Sequence, residues 1–101
     1  MAAAPSSAEA GAARASPARR RYRCRDGYLR LLLEDEEQWR RLARALGRPE
    51  LAYPGSWQAV SSAPPRGRLG RLLESIFARD DVAVWLRRLQ GRGVPCQRAG
   101  R

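Results

Sequence analysis

The 101-residue sequence carries a formal net charge of +10, contains no histidine, and is 44% hydrophobic. A chain of this length forms at most one small domain, and without histidine it lacks the commonest general base at neutral pH. All 20 basic residues are arginine, while lysine, threonine and asparagine are absent, a bias typical of a GC-rich coding sequence rather than of a nucleic-acid-binding surface.

Residues 1–21 are rich in alanine, serine, proline and arginine, with a single acidic residue at Glu9. This composition has no apolar periodicity and predicts a disordered leader. It also resembles an organellar transit peptide, although an unstructured leader or a misplaced translation start agrees better with the bias of the whole chain. We therefore predict one folded domain at residues 22–98 and a short tail at residues 99–101.

Residues 22–33 predict a β-hairpin, because Asp26-Gly27 is a turn signal between two extended arms. In the second arm Leu29, Leu31 and Leu33 alternate onto one face, and we expect that face to meet the core.

A first amphipathic helix is predicted after the acidic residues 34–37, which oppose the positive end of a helix dipole. Gly47 then stands where a left-handed cap is expected. A short helical turn from Pro49 to Ala52 follows. The expected buried face of the helix consists of Trp39, Leu42, Ala43 and Leu46.

Residues 53–66 are rich in proline, glycine and serine and predict an irregular surface connection, with Trp57 as its anchor. The next helix has the strongest apolar stripe in the chain, and Gly70 is its expected weak point. The members of that stripe are Leu69, Leu72, Leu73, Ile76 and Phe77.

A last helix is predicted from about Val82 to Gln90, capped by Asp80 or Asp81 and ended by Gly91 or Gly93. Its apolar stripe consists of Val82, Trp85, Leu86 and Leu89. The predicted fold class is thus α+β, with one β-hairpin followed by three to four amphipathic helices and a disordered N-terminal leader.

Candidate catalytic groups are few. Asp26 lies in a turn, and the acidic residues at 34–37 and 80–81 lie at helix starts, so each carboxylate has a structural explanation. Cys96 has no histidine or lysine nearby to lower the pKa of its thiol. We therefore predict no catalytic residue in this chain.

The two cysteines, Cys24 and Cys96, leave open either a disulfide or two buried free thiols, and the second is more typical of a chain without a signal peptide. No apolar run reaches membrane length, so the expected compartment is the cytoplasm and no membrane contact is expected. Two cysteines without histidine cannot supply the four ligands of a structural zinc site, and no metal is expected.

Four short sequence motifs follow one another in a recognisable order. They are Tyr-Arg-Cys-Arg-Asp-Gly-Tyr at 22–28, Gln-Trp-Arg-Arg-Leu at 38–42 with Leu-Gly-Arg-Pro-Glu-Leu at 46–51, the leucine-rich segment 68–78, and Trp-Leu-Arg-Arg-Leu at 85–89 with Gly-Val-Pro-Cys at 93–96. This order resembles the small domain of the family III CoA-transferases, which include formyl-CoA transferase, carnitine and bile-acid CoA-transferases and alpha-methylacyl-CoA racemase.

The resemblance implies a dimeric parent enzyme that moves CoA between an acyl-CoA thioester and a carboxylic acid. In that family the catalytic aspartate lies on a large Rossmann-like domain, and no residue here matches it. We therefore expect a truncated or split fragment that is inactive alone, binds no cofactor by itself, and needs the large domain or a split subunit as its partner.

The resemblance also marks Gly93, Val94, Pro95 and Cys96 as a candidate substrate-proximal loop, although a helix cap and exit turn explain the same residues. The chain departs from the family pattern immediately afterwards, at residues 97–99. Three alternatives stay open. They are a racemase-type fragment, an arginine-rich non-enzymatic module that binds anionic partners, and the product of a decayed gene.

Overall fold

The computed structural model describes residues 15–100, which form three β-strands and four α-helices. The strands are β1 (Arg19–Arg23), β2 (Tyr28–Leu32) and β3 (Cys96–Ala99), and they make one antiparallel sheet in the order β1-β2-β3. The helices are α1 (Glu36–Ala45), α2 (Ser56–Ser62), α3 (Arg68–Phe77) and α4 (Val82–Gln90), and a 3-10 turn (Pro49–Leu51) lies between α1 and α2. The α+β class and the hairpin followed by helices are confirmed.

One face of the sheet packs against the helices. Leu29, Leu31 and Leu33 are fully buried on that face, as the alternation in the second arm predicted. On β1 the buried residue is Tyr22, whose ring stacks on Phe77 with 4.9 Å between ring centroids. The core is therefore built where the leucine side of β2 and the single aromatic residue of β1 meet the helices.

The end of the chain differs from the prediction, because residues 96–99 form β3 rather than an exit loop and a tail. Cys96 pairs with Leu31 and Ala99 with Tyr28, and the Leu32 amide donates to the Pro95 carbonyl at 3.1 Å. A four-residue strand with two polar residues carries too little alternation to be seen in sequence. It forms because β2 offers it an unpaired edge.

The start of the folded region also differs. Residues 1–14 of the predicted leader lie outside the described residues, but Ser16, Pro17 and Ala18 are buried and β1 begins at Arg19. The predicted boundary at residue 22 is thus too late. The prediction rested on the lack of apolar periodicity in this segment, and Arg19–Arg23 contain only one core residue, Tyr22.

Arg20 lies beside the core because its guanidinium is paired and hydrogen-bonded within the fold. Its guanidinium lies 2.9 Å from a Glu74 carboxylate oxygen and donates to the Pro65 carbonyl at 2.9 Å. It also lies over the Tyr22 ring, 4.1 Å from the centroid. A charged side chain can therefore stand at the edge of the core without an unpaired donor.

Helix α1 follows the prediction closely. The Asp35 side chain accepts from the Gln38 amide at 2.9 Å, which is an N-terminal cap, and the Gln38 side chain accepts from the amide of Glu34, the residue before the cap. At the other end Gly47 has a φ of 74°, the left-handed conformation expected of a C-terminal cap. Trp39, Leu42 and Ala43 are buried, and Leu46 packs against the core from its edge.

The predicted irregular connection at 53–66 is wrong in part, because its middle forms helix α2. Ser56 and Val60 are the buried residues of this helix, whereas the expected anchor, Trp57, is only half-buried. The Ser56 hydroxyl accepts a hydrogen bond from the Trp39 indole at 2.9 Å. A seven-residue helix between prolines has too few turns to show a periodic pattern.

Gly70 is more than a weak point in helix α3. It is buried, and a Cβ placed on it would overlap the carbonyl oxygen of Pro65, the same carbonyl that Arg20 binds. Only glycine allows this close approach of helix and loop. No helix within the described residues combines the length and apolar character that crossing a bilayer requires.

Gly70→Ala is expected to lower the free energy of unfolding by about 1–3 kcal/mol, because the added methyl group overpacks the Pro65 contact. In an ordinary exposed helix the same change would raise stability by about 1 kcal/mol, so the sign is diagnostic. Urea unfolding measures it, with Gly100→Ala as a control at a position with open space. A higher urea midpoint for Gly70→Ala would contradict the close approach.

Candidate functional site

The predicted loop at residues 93–96 begins as the cap of helix α4. Gly93 has a φ of 77°, its amide donates to the Gln90 carbonyl at 3.1 Å, and the Val94 amide donates to the Leu89 carbonyl at 3.0 Å. This pair of bonds is a Schellman motif with glycine in the left-handed position. Val94 and Leu89 are both buried, which supplies the hydrophobic contact that accompanies the motif.

The second half of the loop leads into β3. Cys96 is 8% exposed and faces the core beside Leu31, and its carbonyl accepts from the Gln90 side chain at 3.2 Å. Only Gly93, which is exposed, and Pro95, which is half-buried, reach the surface. The structure thus keeps the four predicted residues together and gives each one a structural role, while substrate contact by this loop stays a prediction.

The hairpin turn forms a second cluster of polar groups, against the start of helix α4. The Asp26 carboxylate accepts from the Val82 amide at 2.9 Å, and the Arg25 amide donates to the Asp80 carbonyl at 2.9 Å. The Arg25 guanidinium pairs with Asp81 at 2.9 Å. The turn at residues 25–27 is therefore bonded to the connection between α3 and α4, and we call this set of three contacts the turn–helix contact.

Because of the turn–helix contact, the capping of helix α4 differs from the prediction. Asp81 does occupy the N-cap position, but its side chain makes no capping hydrogen bond, and Asp26 binds the free helix amide instead. Gly27 also packs closely at the turn, since a Cβ there would lie 3.2 Å from the Val82 side chain, a tight contact. The sequence does not predict this cap, because Asp26 and Val82 lie 56 residues apart in the chain.

All four aspartates of the chain are thus engaged in the fold. Asp35 caps helix α1, Asp26 caps helix α4, Asp81 pairs with Arg25, and the Asp80 carboxylate lies 3.9 Å from the Arg88 guanidinium. Each aspartate therefore already serves a structural contact.

The two thiols are free, so the disulfide alternative is not realised. Burial raises the pKa of the Cys24 thiol to about 11, with a further contribution from the charges of Asp26 and Asp81. Burial also raises the pKa of the Cys96 thiol to about 11. Both groups are therefore protonated at neutral pH and are poor nucleophiles.

Two open grooves, each with a volume of ≈ 750 Å³, lie on either side of the hairpin end. Arg23, Arg25 and Tyr28 line both of them, Arg20, Arg21 and Arg66 line the first, and Arg98 lines the second. Such surfaces can bind anions but contain no acid–base pair. In the sequence this basic surface is visible only as arginines at alternate positions, 19, 21 and 23. They can be placed on one face only once that segment is known to be a strand.

Comparison with known proteins supports the fold. The model of CoA-transferase family III matches residues 1–101. A search of curated proteins gives no match. Among solved structures the chain is similar to a hypothetical protein (Rv3272) from Mycobacterium tuberculosis, with a TM-score of 0.73 and 22% identity; the alignment covers 96% of this chain and 28% of that one. At this identity the likeness shows the fold alone.

Asp26→Ala is expected to lower the free energy of unfolding by about 1 kcal/mol, because the first amide of helix α4 loses its acceptor. Asp26→Asn is the matched control, since asparagine keeps the acceptor and should cost less than half as much. Thermal or urea unfolding measures both. Equal losses for the two variants would contradict the capping role.

The raised thiol pKa values predict slow alkylation of the folded chain. At about pH 8 both cysteines should react with iodoacetamide on the order of a hundredfold more slowly than in concentrated urea, because the folded thiols carry far less thiolate. The rate should continue to rise toward about pH 11. A plateau near pH 9, the behaviour of a solvated thiol, would contradict the raised values.

Proposed function

The chain belongs to CoA-transferase family III, and from this membership we propose that it is the small α+β domain of an enzyme that moves CoA between an acyl-CoA thioester and a carboxylic acid. The catalytic aspartate then belongs to a large Rossmann-like domain outside these 101 residues, on the same polypeptide or on a split subunit. The CoA thioester is a substrate of the assembled enzyme and not a resident cofactor of this chain.

The observation that carries the proposal is the state of the acidic and thiol groups. Every aspartate is engaged in a cap or an ion pair, and both cysteines are held as thiols. The chain also spans 28% of the solved structure that it resembles. We therefore infer that the nucleophilic carboxylate lies outside these 101 residues.

In the assembled enzyme the surface residues of the loop at 93–96, Gly93 and Pro95, face the acyl-CoA. The Schellman cap supports this role because it fixes the loop backbone before any partner arrives. The free, buried thiols suit a reducing compartment, and we propose the cytoplasm.

The test is complementation. The purified chain is incubated with a panel of acyl-CoA donors and carboxylate acceptors, alone and with a family III polypeptide that carries the large domain, preferably one encoded beside it. We expect no transfer by the chain alone and transfer by the mixture. Substituting the catalytic aspartate of the partner by alanine should abolish that transfer.

Transfer by the chain alone would overturn the proposal. So would a mixture whose activity is the same with and without this chain, because the small domain would then be dispensable. Asp26→Asn serves as a control in the mixture, since a capping residue should leave the transfer rate unchanged.

A further inference from the structure

The sheet has a second face, on the side away from the helical core. We define the open face by Arg21, Arg23, Tyr28, Arg30 and Gln97, which alternate with the buried residues of the three strands. The three arginines and the glutamine are exposed, and Tyr28 is half-buried. An antiparallel sheet can leave such a face in water, but then it ordinarily carries charges of both signs.

The open face carries positive charge alone. Strand register places Arg21 directly opposite Arg30, and Arg23 lies opposite Tyr28. The backbone hydrogen bonds of Cys24 with Gly27 and of Leu33 with Ala18 fix the alternation, which makes Arg21–Arg30 a non-hydrogen-bonded pair with close side chains. Like charges directly opposite one another destabilise a sheet. No carboxylate among residues 15–100 pairs with either arginine to relieve this repulsion.

The acidic side chains within residues 15–100 form ion pairs or helix caps away from the open face. None lies on the open face, and Arg21, Arg23 and Arg30 form no ion pair with them. The ion pairs of the described part of the chain are Arg19–Glu34, Arg20–Glu74, Arg25–Asp81, Arg40–Glu36, Arg40–Glu37, Arg41–Glu37, Arg48–Glu50 and Arg88–Asp80. Other arginines without an ion pair in this part of the chain, such as Arg44, Arg79 and Arg87, lie on other surfaces. The open face differs from those surfaces because strand register aligns its three arginines on one flat sheet and sets two of them directly opposite each other.

The surroundings of Tyr28 favour protein over nucleic acid as the partner. The Arg21 guanidinium lies 5.2 Å from the Tyr28 ring centroid and donates to the Gly100 carbonyl at 2.8 Å, so it covers the ring face that a base would need for stacking. Half-buried Leu32 and Ala99 lie on the same side of the sheet. Arginine and tyrosine beside small apolar patches are typical of protein interfaces.

We propose that the open face is a docking surface for a protein partner that presents a cluster of aspartate and glutamate side chains. Its carboxylates pair with Arg21, Arg23 and Arg30, and the repulsion between Arg21 and Arg30 is relieved when the complex forms. This surface is distinct from the loop at 93–96, and its use does not depend on CoA transfer.

The probe is a labelled oligoglutamate peptide, titrated into the folded 101-residue chain while backbone amide signals are followed by NMR. Shifts should concentrate in β1, β2 and β3. The triple variant Arg21→Gln/Arg23→Gln/Arg30→Gln should weaken binding at least about fivefold. The matched control, Arg44→Gln/Arg79→Gln/Arg87→Gln, removes the same charge from exposed positions elsewhere and should change binding less than about twofold.

A charge reversal separates loss of binding from loss of fold. Arg30→Glu places a carboxylate opposite Arg21, so the urea midpoint should stay the same or rise while peptide binding falls at least about fivefold. Equal weakening by the two triple variants would overturn the proposal, because net charge alone would then explain binding. Tighter binding of single-stranded RNA than of the peptide, through the same three arginines, would also overturn it.

Discussion

Tyr22, Phe77 and Trp85 form the contact on which the rest of the structure depends. Tyr22 is the only apolar residue in β1, and its ring joins that strand to helix α3 through Phe77 and on to α4 through Trp85, which meets Phe77 edge to face at 5.0 Å. Both polar atoms are satisfied, because the Tyr22 hydroxyl donates to the Pro17 carbonyl and the Trp85 indole to the Phe77 carbonyl. Burial raises the pKa of the Tyr22 phenol, so the hydroxyl stays a donor. An arginine-rich strand can thus belong to the core through one residue.

The polar chemistry of the chain serves the same purpose of assembly. Two sets of polar contacts hold one element against another: the turn–helix contact of residues 25–27 with the start of helix α4, and the ion pair of Arg20 with Glu74. A third, the cap at Asp35, stabilises the start of helix α1. Carboxylates that are used in this way are not available for proton transfer. The arginines that remain without acidic partners among residues 15–100 lie outside the core, on the surface.

The sequence predicted best the elements whose signals are local and periodic. Helices α1, α3 and α4 and the leucine side of β2 followed directly from apolar spacing and cap residues. The early start of β1, helix α2 and strand β3 were missed, because each depends on a contact distant in sequence: Arg20 with Glu74, Ser56 with Trp39, and Cys96 with Leu31. The open face was missed for the same reason, since arginines align only once the strand register is known. For the loop at 93–96 the sequence did predict a helix cap, and Gly93 forms it, but it did not predict that Cys96 pairs with Leu31 in β3.

The order of strands has a mechanical consequence. Strands β1 and β3 both run antiparallel to β2, so they are parallel to each other, and the chain enters the sheet beside Leu32 and leaves it beside Tyr28, at opposite ends. Tension between the two termini would pull β1 and β3 in opposite directions along their own axes. The hydrogen bonds across the sheet, which are perpendicular to the strands, would then be loaded together in shear and not one at a time. A small domain joined to a larger partner at both ends would resist separation through its whole sheet.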